Sequence, residues 1–185
     1  MTTKSSKFKI QSSKVKEKAK KIKLIIFDVD GVLTDGGIIL DSKNNEFKMF
    51  HVRDGHGIKM LNKAGIKVAI ITGRNSGVVK RRAKELGITE LHQGIFRKSD
   101  VYDSLLKKYK FKDEEVAYMG DDVVDVKLLK RVGLPAVPAD AVEEAKKWAV
   151  FISTKKGGRG AAREFIELIL KSSGLWDSVA GESIG

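Results

Sequence analysis

Leu24-Ile-Ile-Phe-Asp28-Val-Asp30-Gly-Val-Leu-Thr34-Asp35 sets an unbroken apolar run directly against two carboxylates. Alternate side chains of a strand point to opposite faces, so Leu24–Phe27 cannot be apolar on one side only. Such a run fits a strand covered on both faces, as in the middle of a parallel sheet. The polar residues that follow then stand at the C-terminal end of the strand, where open α/β sheets bind their ligands.

The same pattern recurs outward from this segment. Lys67-Val-Ala-Ile-Ile71 and Val116-Ala-Tyr-Met119 read as further buried strands, with Leu91-His-Gln93 and Ala136-Val137 as shorter candidates. Between them, apolar residues fall at helical spacing: Val78, Val79, Ala83 and Leu86; Tyr102, Leu105, Leu106 and Tyr109; Val124, Leu128, Leu129 and Val132; Ala162, Phe165, Ile166, Ile169 and Leu170. Strands alternating with helices predict an α/β fold, a doubly wound parallel sheet with right-handed crossovers. One interruption precedes the second strand. Gly37-Ile-Ile-Leu-Asp41 and Glu46-Phe-Lys-Met-Phe50 flank the turn-like Ser42-Lys-Asn-Asn45, which predicts a β-hairpin projecting from the first crossover.

The length of 185 residues suits one domain with a real core. We expect a basic arm over 1–20, the domain over 21–173 and a tail over 174–185. Residues 1–23 hold nine lysines and one glutamate, which accounts for +8 of the net charge of +12. The basic excess is therefore mostly local and reads as a solvated arm, so a nucleic-acid partner is not expected. There is no cysteine, which excludes disulfides and thiolate chemistry and suits a reducing cytoplasm. No apolar run approaches the roughly 18 residues of a membrane span, and no apolar core of a signal peptide follows the lysines.

Polar residues cluster just after the strand ends: Asp28 and Asp30, then Thr72-Gly73-Arg74, then Lys98, then Gly120-Asp121-Asp122 with Asp125. In a parallel sheet all four groups converge on one edge. Carboxylates crowded in this way repel one another and call for a hard cation, for which Mg2+ is the best fit. Hydrolysis of a phosphate ester needs an in-line nucleophile and neutralised phosphoryl oxygens. Asp28 can serve as the carboxylate nucleophile, and Asp30 can protonate the departing alkoxide and later activate water. Thr72 can donate to phosphoryl oxygens, and Lys98 brings positive charge.

These four segments, in this order, resemble the motifs of the haloacid dehalogenase superfamily of phosphohydrolases. The resemblance implies that Mg2+ is held by the Asp28 carboxylate, the Asp30 backbone carbonyl and Asp121, with Asp122 and Asp125 behind them. Only about 35 residues separate the first motif from the second strand, so no cap domain fits, and a neighbouring subunit is expected to close the site. A closer similarity runs from roughly residue 18 to the end. Asp35-Gly36, Phe50–Gly57 and Gly157-Gly-Arg-Gly-Ala-Ala-Arg-Glu164 are similar to the family of 3-deoxy-D-manno-octulosonate 8-phosphate phosphatases. That family implies a capless homotetramer of the bacterial cytoplasm that acts in lipopolysaccharide biosynthesis on a small anionic sugar phosphate. The implied substrate contacts, besides Asp30, Gly73, Arg74 and Lys98, begin with a loop of His51, Val52, Arg53, Asp54 and Gly55. Lys59, Arg82, Arg159 and Arg163 complete them, the last two on a glycine-flanked segment expected to reach a neighbour's site. Arginine forks suit a substrate carrying both carboxylate and phosphate. Two other readings stand beside this one: a phosphatase for a nine-carbon sugar acid, and a non-catalytic binding protein that uses the basic arm.

Overall fold

The computed structural model describes residues 13–43 and 45–181. Six strands form one parallel sheet: β1 (Leu24–Phe27), β4 (Lys67–Ile71), β5 (Glu90–His92), β6 (Val116–Met119), β7 (Leu134–Val137) and β8 (Phe151–Ile152). Their spatial order is β5-β4-β1-β6-β7-β8. The chain builds outward from β1 to β5, then returns to lay β6 on the other side of β1. The crevice beyond β1 is thus the topological switch point at which such sheets bind ligands. Register carries the motifs there, since Phe27 lies level with Ile70 of β4 and with Met119 of β6.

Burial on both faces explains the apolar run. Ile25 and Phe27 enter one core with Ile58, Leu61, Val79, Phe165, Ile166 and Ile169. Leu24 and Ile26 enter the opposite core with Tyr102, Leu105, Leu128 and Leu129. The first core is roofed by α2 (Val52–Lys63), α3 (Gly77–Glu85) and α7 (Ala161–Ser172), and the second by α4 (Lys98–Tyr109), α5 (Val126–Leu129) and α6 (Glu143–Lys146). Among the described residues, no helix is long and apolar enough to cross a membrane.

The expected hairpin is present but short: β2 (Ile39–Leu40) pairs antiparallel with β3 (Glu46–Phe47). Asp41 organises its turn by accepting from the backbone N–H groups of Lys43 and Asn45, each at 2.8 Å. Between β1 and α2 the described chain builds only this hairpin, and no cap domain is present.

Several expectations shift. The expected loop at His51–Gly55 is the first turn of α2, whose buried face includes Asp54, Gly55, Ile58 and Leu61. Two glycines and a polar start hid the apolar period. The helix expected around Val124–Val132 is a 3-10 turn at Val123–Asp125 followed by the four-residue α5. β5 starts one residue earlier than expected, β7 is two residues longer, and the two-residue edge strand β8 was not anticipated.

The outer boundaries move as well. Residues 13–19 form the first helix, α1, and Val15 and Ala19 are buried in the core, so folded structure begins inside the expected arm of 1–20. The rest of that arm, residues 1–12, lies outside the described residues. Beyond residue 173 the helix α8 (Trp176–Ala180) buries Val179 in the same core.

Candidate active site

Asp28 continues the ladder one step past β1, its N–H donating to Met119 O at 3.0 Å. Its side chain is buried; Oδ1 accepts from the Val29 N–H at 2.7 Å and Oδ2 from Lys98 Nζ at 2.7 Å. After Asp28 the chain curls so that the N–H groups of Val32, Leu33 and Thr34 all point at Val29 O. Gly31 sits in this curl at φ +84, and a Cβ there would lie 2.0 Å from Asp121 Oδ2. Glycine is favoured there by the left-handed backbone, and a side chain would also have to displace the Asp121 carboxylate.

Lys98, the first residue of α4, is buried between two carboxylates, 2.7 Å from Asp28 Oδ2 and 2.6 Å from Asp125 Oδ1. Burial opposes its charge, but Asp28 and Asp125 outweigh that and hold its pKa above the usual lysine range. Asp125 is fully buried and committed on every side. Its Oδ1 accepts from Lys98 and, at 2.5 Å, from the Tyr118 hydroxyl, while Oδ2 accepts from the Asp121 and Asp122 N–H groups at 2.8 and 3.2 Å. Two donors per oxygen use all four lone-pair sites of a carboxylate. Asp125 therefore supports the Gly120–Asp122 turn and Lys98 rather than offering a free oxygen.

Oxygens of Asp28, Asp121 and Asp125 lie within 4.8 Å of one another. Burial first, then the Asp125, Asp28 and Asp122 charges, push the Asp121 pKa up to about 8. Burial and Asp125 raise Asp28 to about 6 against the pull of Lys98. An all-oxygen cluster strained by its own negative charge fits a hard divalent cation.

An open cleft of about 340 Å³ lies over this cluster, lined by Asp28, Asp30, Thr72, Gly73, Arg74, Lys98, Asp121 and Asp122. The apolar side chains of Ile95, Phe96 and Val124 rim it. Eight of the residues singled out in the sequence thus share one cavity wall, with Asp125 directly behind. The structure does not bring the other substrate candidates to this cleft. His51, Arg53, Arg159 and Arg163 line a separate basic cavity of about 630 Å³ with Lys155 and two glutamates.

The remaining candidates have other surroundings. Asp54 is buried, and its Oδ1 caps α7 by accepting from the Arg163 N–H at 2.7 Å. Gly55 makes room for Arg82, whose guanidinium carbon lies 5.8 Å from the Phe50 ring centroid and whose Nη1 donates to Glu85. Val52 and Lys59 project from α2 into solvent. The Gly157-Gly158 pair packs on its own chain. A Cβ on Gly157 would lie 1.9 Å from Gly31 O, and the Gly158 N–H donates to Val32 O at 2.9 Å. Within one chain, then, this segment braces the loop carrying Asp30, and Arg159 reaches Asp35 at 3.5 Å.

Sequence reasoning missed two residues here. Tyr118 is a fully buried strand residue whose hydroxyl lies between Asp125 and Lys98. Lys48, just past β3, places Nζ 2.5 Å from Asp30 Oδ1 and 3.5 Å from Glu46 Oε1. The alternation Glu46, Lys48, Phe50 could have placed Lys48 on the inward face of the hairpin, but nothing in the sequence pairs it with Asp30.

The haloacid dehalogenase-like hydrolase family model matches residues 51–133. The chain is 43% identical over 173 residues to the 3-deoxy-D-manno-octulosonate 8-phosphate phosphatase KdsC of Escherichia coli (strain K12), covering 94% of this chain and 92% of that protein. This chain belongs to that phosphatase family. A solved family member from Moraxella catarrhalis, in complex with a magnesium ion, a phosphate ion and a KDO molecule, superposes with a TM-score of 0.89 at 43% identity. That match covers 91% of this chain and 97% of the other. The Yersinia pestis member gives a TM-score of 0.87 at 43% identity, covering 88% of each chain. The shared architecture is the phosphatase core without a cap domain.

Proposed function

We propose that this chain hydrolyses 3-deoxy-D-manno-octulosonate 8-phosphate to the free sugar acid and phosphate, with Mg2+ as cofactor, in lipopolysaccharide biosynthesis in the bacterial cytoplasm. The observation that carries this is the buried Asp28 carboxylate, held by Lys98 at the floor of the cleft beside Asp121. The Asp28 carboxylate, the Asp30 carbonyl and Asp121 would hold Mg2+, which would supply positive charge to the phosphoryl oxygens. Asp28 attacks phosphorus in line; its O–P bond forms as the bond to the sugar oxygen breaks, and Asp30 gives that oxygen a proton. Water then attacks phosphorus, Asp30 takes the proton, and the Asp28–phosphorus bond breaks to release phosphate. Lys98 and Thr72 hold phosphoryl oxygens, and Lys98 also keeps Asp28 in place. Asp122 and Asp125 set the loop that carries Asp121.

The basic cavity suits the carboxylate end of the substrate, through Arg53, Arg159 and Arg163 with His51. It is separate from the cleft within one chain, which supports a homo-oligomer, a tetramer, in which neighbours complete each site. Ile39 and Phe47, paired across the hairpin, give it an exposed apolar face suited to a second copy of the chain, with Ile38, Leu40 and Met49 also exposed. Val52, Lys59 and Arg82 would meet substrate only across such an interface.

A phosphate-release assay over sugar phosphates, with Mg2+ and with chelator, tests the reading. Turnover is expected to be highest on the eight-carbon substrate and to vanish with chelator. Faster cleavage of the nine-carbon sugar acid phosphate, or chelator-resistant activity, would sink it. Phe47→Asp should shift the chain from oligomer to monomer in sedimentation; an unchanged oligomer would remove the hairpin from the interface.

A further inference from the structure

Among the described residues, the mechanism above leaves one buried cation unused. Lys48 stands outside the sheet, yet its side chain is only 1% exposed. It does not line the cleft, and it touches the cleft wall through Asp30. Its Nζ lies 2.5 Å from Asp30 Oδ1, the shortest polar contact Asp30 makes. On the other carboxylate oxygen, Asp30 Oδ2 faces Arg74 Nε at the looser distance of 3.7 Å.

Lys48 is itself held in place. Glu46 lies 3.5 Å from its Nζ, and the same carboxylate reaches Arg74 at 3.3 Å and accepts from the Ser76 hydroxyl at the N-terminus of α3. The Ser76 hydroxyl, followed by Lys48 and Arg74, holds the Glu46 carboxyl below its usual range, so Glu46 stays ionised as an anchor. The hairpin is thus pinned to α3 on one side and to Asp30 on the other.

We propose that Lys48 is a positioning residue for proton transfer at Asp30. It occupies Oδ1, fixes the carboxylate rotamer and leaves Oδ2 as the oxygen that exchanges the proton. This rests on the phosphatase reading, in which Asp30 Oδ2 gives its proton to the sugar oxygen as the P–O bond breaks and regains one from water. A charge-assisted hydrogen bond at this distance restrains orientation strongly, and catalytic proton transfer tolerates little misplacement. Lys48 lies on the hairpin rather than on the sheet edge, so the hairpin becomes part of the catalytic apparatus of its own chain.

The test uses the leaving group. Departure of a sugar alkoxide needs a proton from Asp30, whereas p-nitrophenolate leaves without one. Lys48→Met should slow first-turnover cleavage of the sugar phosphate roughly 10- to 100-fold, and that of p-nitrophenyl phosphate less than about 3-fold. Lys48→Arg, which keeps the cation, should recover most of the loss. Equal losses on both substrates, or none, would overturn the proposal. In parallel, urea midpoints of Lys48→Met, Asp30→Asn and the double variant are compared in Mg2+-free buffer. The two single losses should exceed the double loss when summed, because each single variant strands a partner. Strictly additive losses would overturn the clamp whatever the activity. A wild-type chain that cleaves neither phosphate but gives a non-additive cycle would overturn the functional reading and keep the clamp.

Discussion

At the sheet edge, Asp28 and Asp125 are tied to partners within the same chain. Lys98 bridges Asp28 and Asp125, the Tyr118 hydroxyl accepts from Lys98 and donates to Asp125, and Asp125 holds the turn that carries Asp121. The cavity between α2 and α7 is organised differently. There Arg53, Arg159 and Arg163 gather around about 630 Å³ of open space, and the adjoining His51 Nδ1, 4.0 Å from Asp54 Oδ2, is buried without a hydrogen-bond partner among the described residues. Phosphoryl chemistry requires preorganised groups, and those groups are locked by the fold of one chain. In the reading proposed above, the rest of the substrate would be met by long cationic side chains, of which Arg159 and Arg163 are paired within the chain with Asp35 and Glu167. The difference predicts that changes at the sheet edge act on the chemical step, and changes in the cavity act on binding.

The largest effect should come from the nucleophile. Asp28→Asn keeps the shape and the Val29 contact but removes the attacking charge, so kcat should fall by roughly 10³-fold or more. Full Mg2+-dependent activity in this variant would break the assignment of chemistry to the sheet edge. Asp125→Asn probes the same edge from behind. Removing one partner from a buried charge network typically costs about 3–5 kcal/mol, so a clear loss of melting temperature is expected with a large loss of kcat. Wild-type stability in Asp125→Asn would mean that Lys98 does not depend on it.

The sheet edge was also the legible part of the molecule. Strands buried on both faces announce themselves as apolar runs, and each motif follows its run within a few residues, so parallel order alone brings Asp28, Thr72, Lys98 and Asp121 together. Elements whose stability comes from tertiary contacts were hidden. α2 opens with an exposed Val52 and the charged Arg53 and Asp54, and carries Gly55 and Gly57, which let Arg82, Arg163 and Ile166 approach. β8 is two residues long and owes its existence to β7. Lys48 gave no signal, because its role depends on how the hairpin folds back onto Asp30, a contact spanning 18 residues with no periodicity to betray it.

A smaller effect should separate the cavity from the cleft. Arg159 pairs with Asp35 at 3.5 Å and is more than half exposed, so its truncation should barely change stability. Arg159→Ala should raise KM about 10-fold with kcat nearly unchanged, the signature of lost uniform binding. An equal fall in kcat and kcat/KM would place Arg159 with the chemical groups and dissolve the contrast between the two regions.

The smallest expected effect is a pH-dependent shift in melting temperature. In the Mg2+-free chain, Asp121 and Asp28 have pKa values raised from 3.8 to about 8 and about 6. The folded chain therefore holds these protons more tightly than the unfolded chain does. The stability they contribute is fully present below pH 3.8 and is lost as pH rises through about 6 and then about 8. Mg2+ needs the same carboxylates deprotonated, so its binding competes with these protons and tightens over that window. The rise in melting temperature on adding Mg2+ should accordingly be small at pH 5.5 and grow towards pH 8.5, by a few degrees at saturating metal. Thr72→Val, at the same cleft but outside the carboxylate cluster, should show the same pH trend. An Mg2+ increment that is flat with pH would mean that the cation does not bind at Asp28 and Asp121, and the sheet edge would lose its claim to the metal.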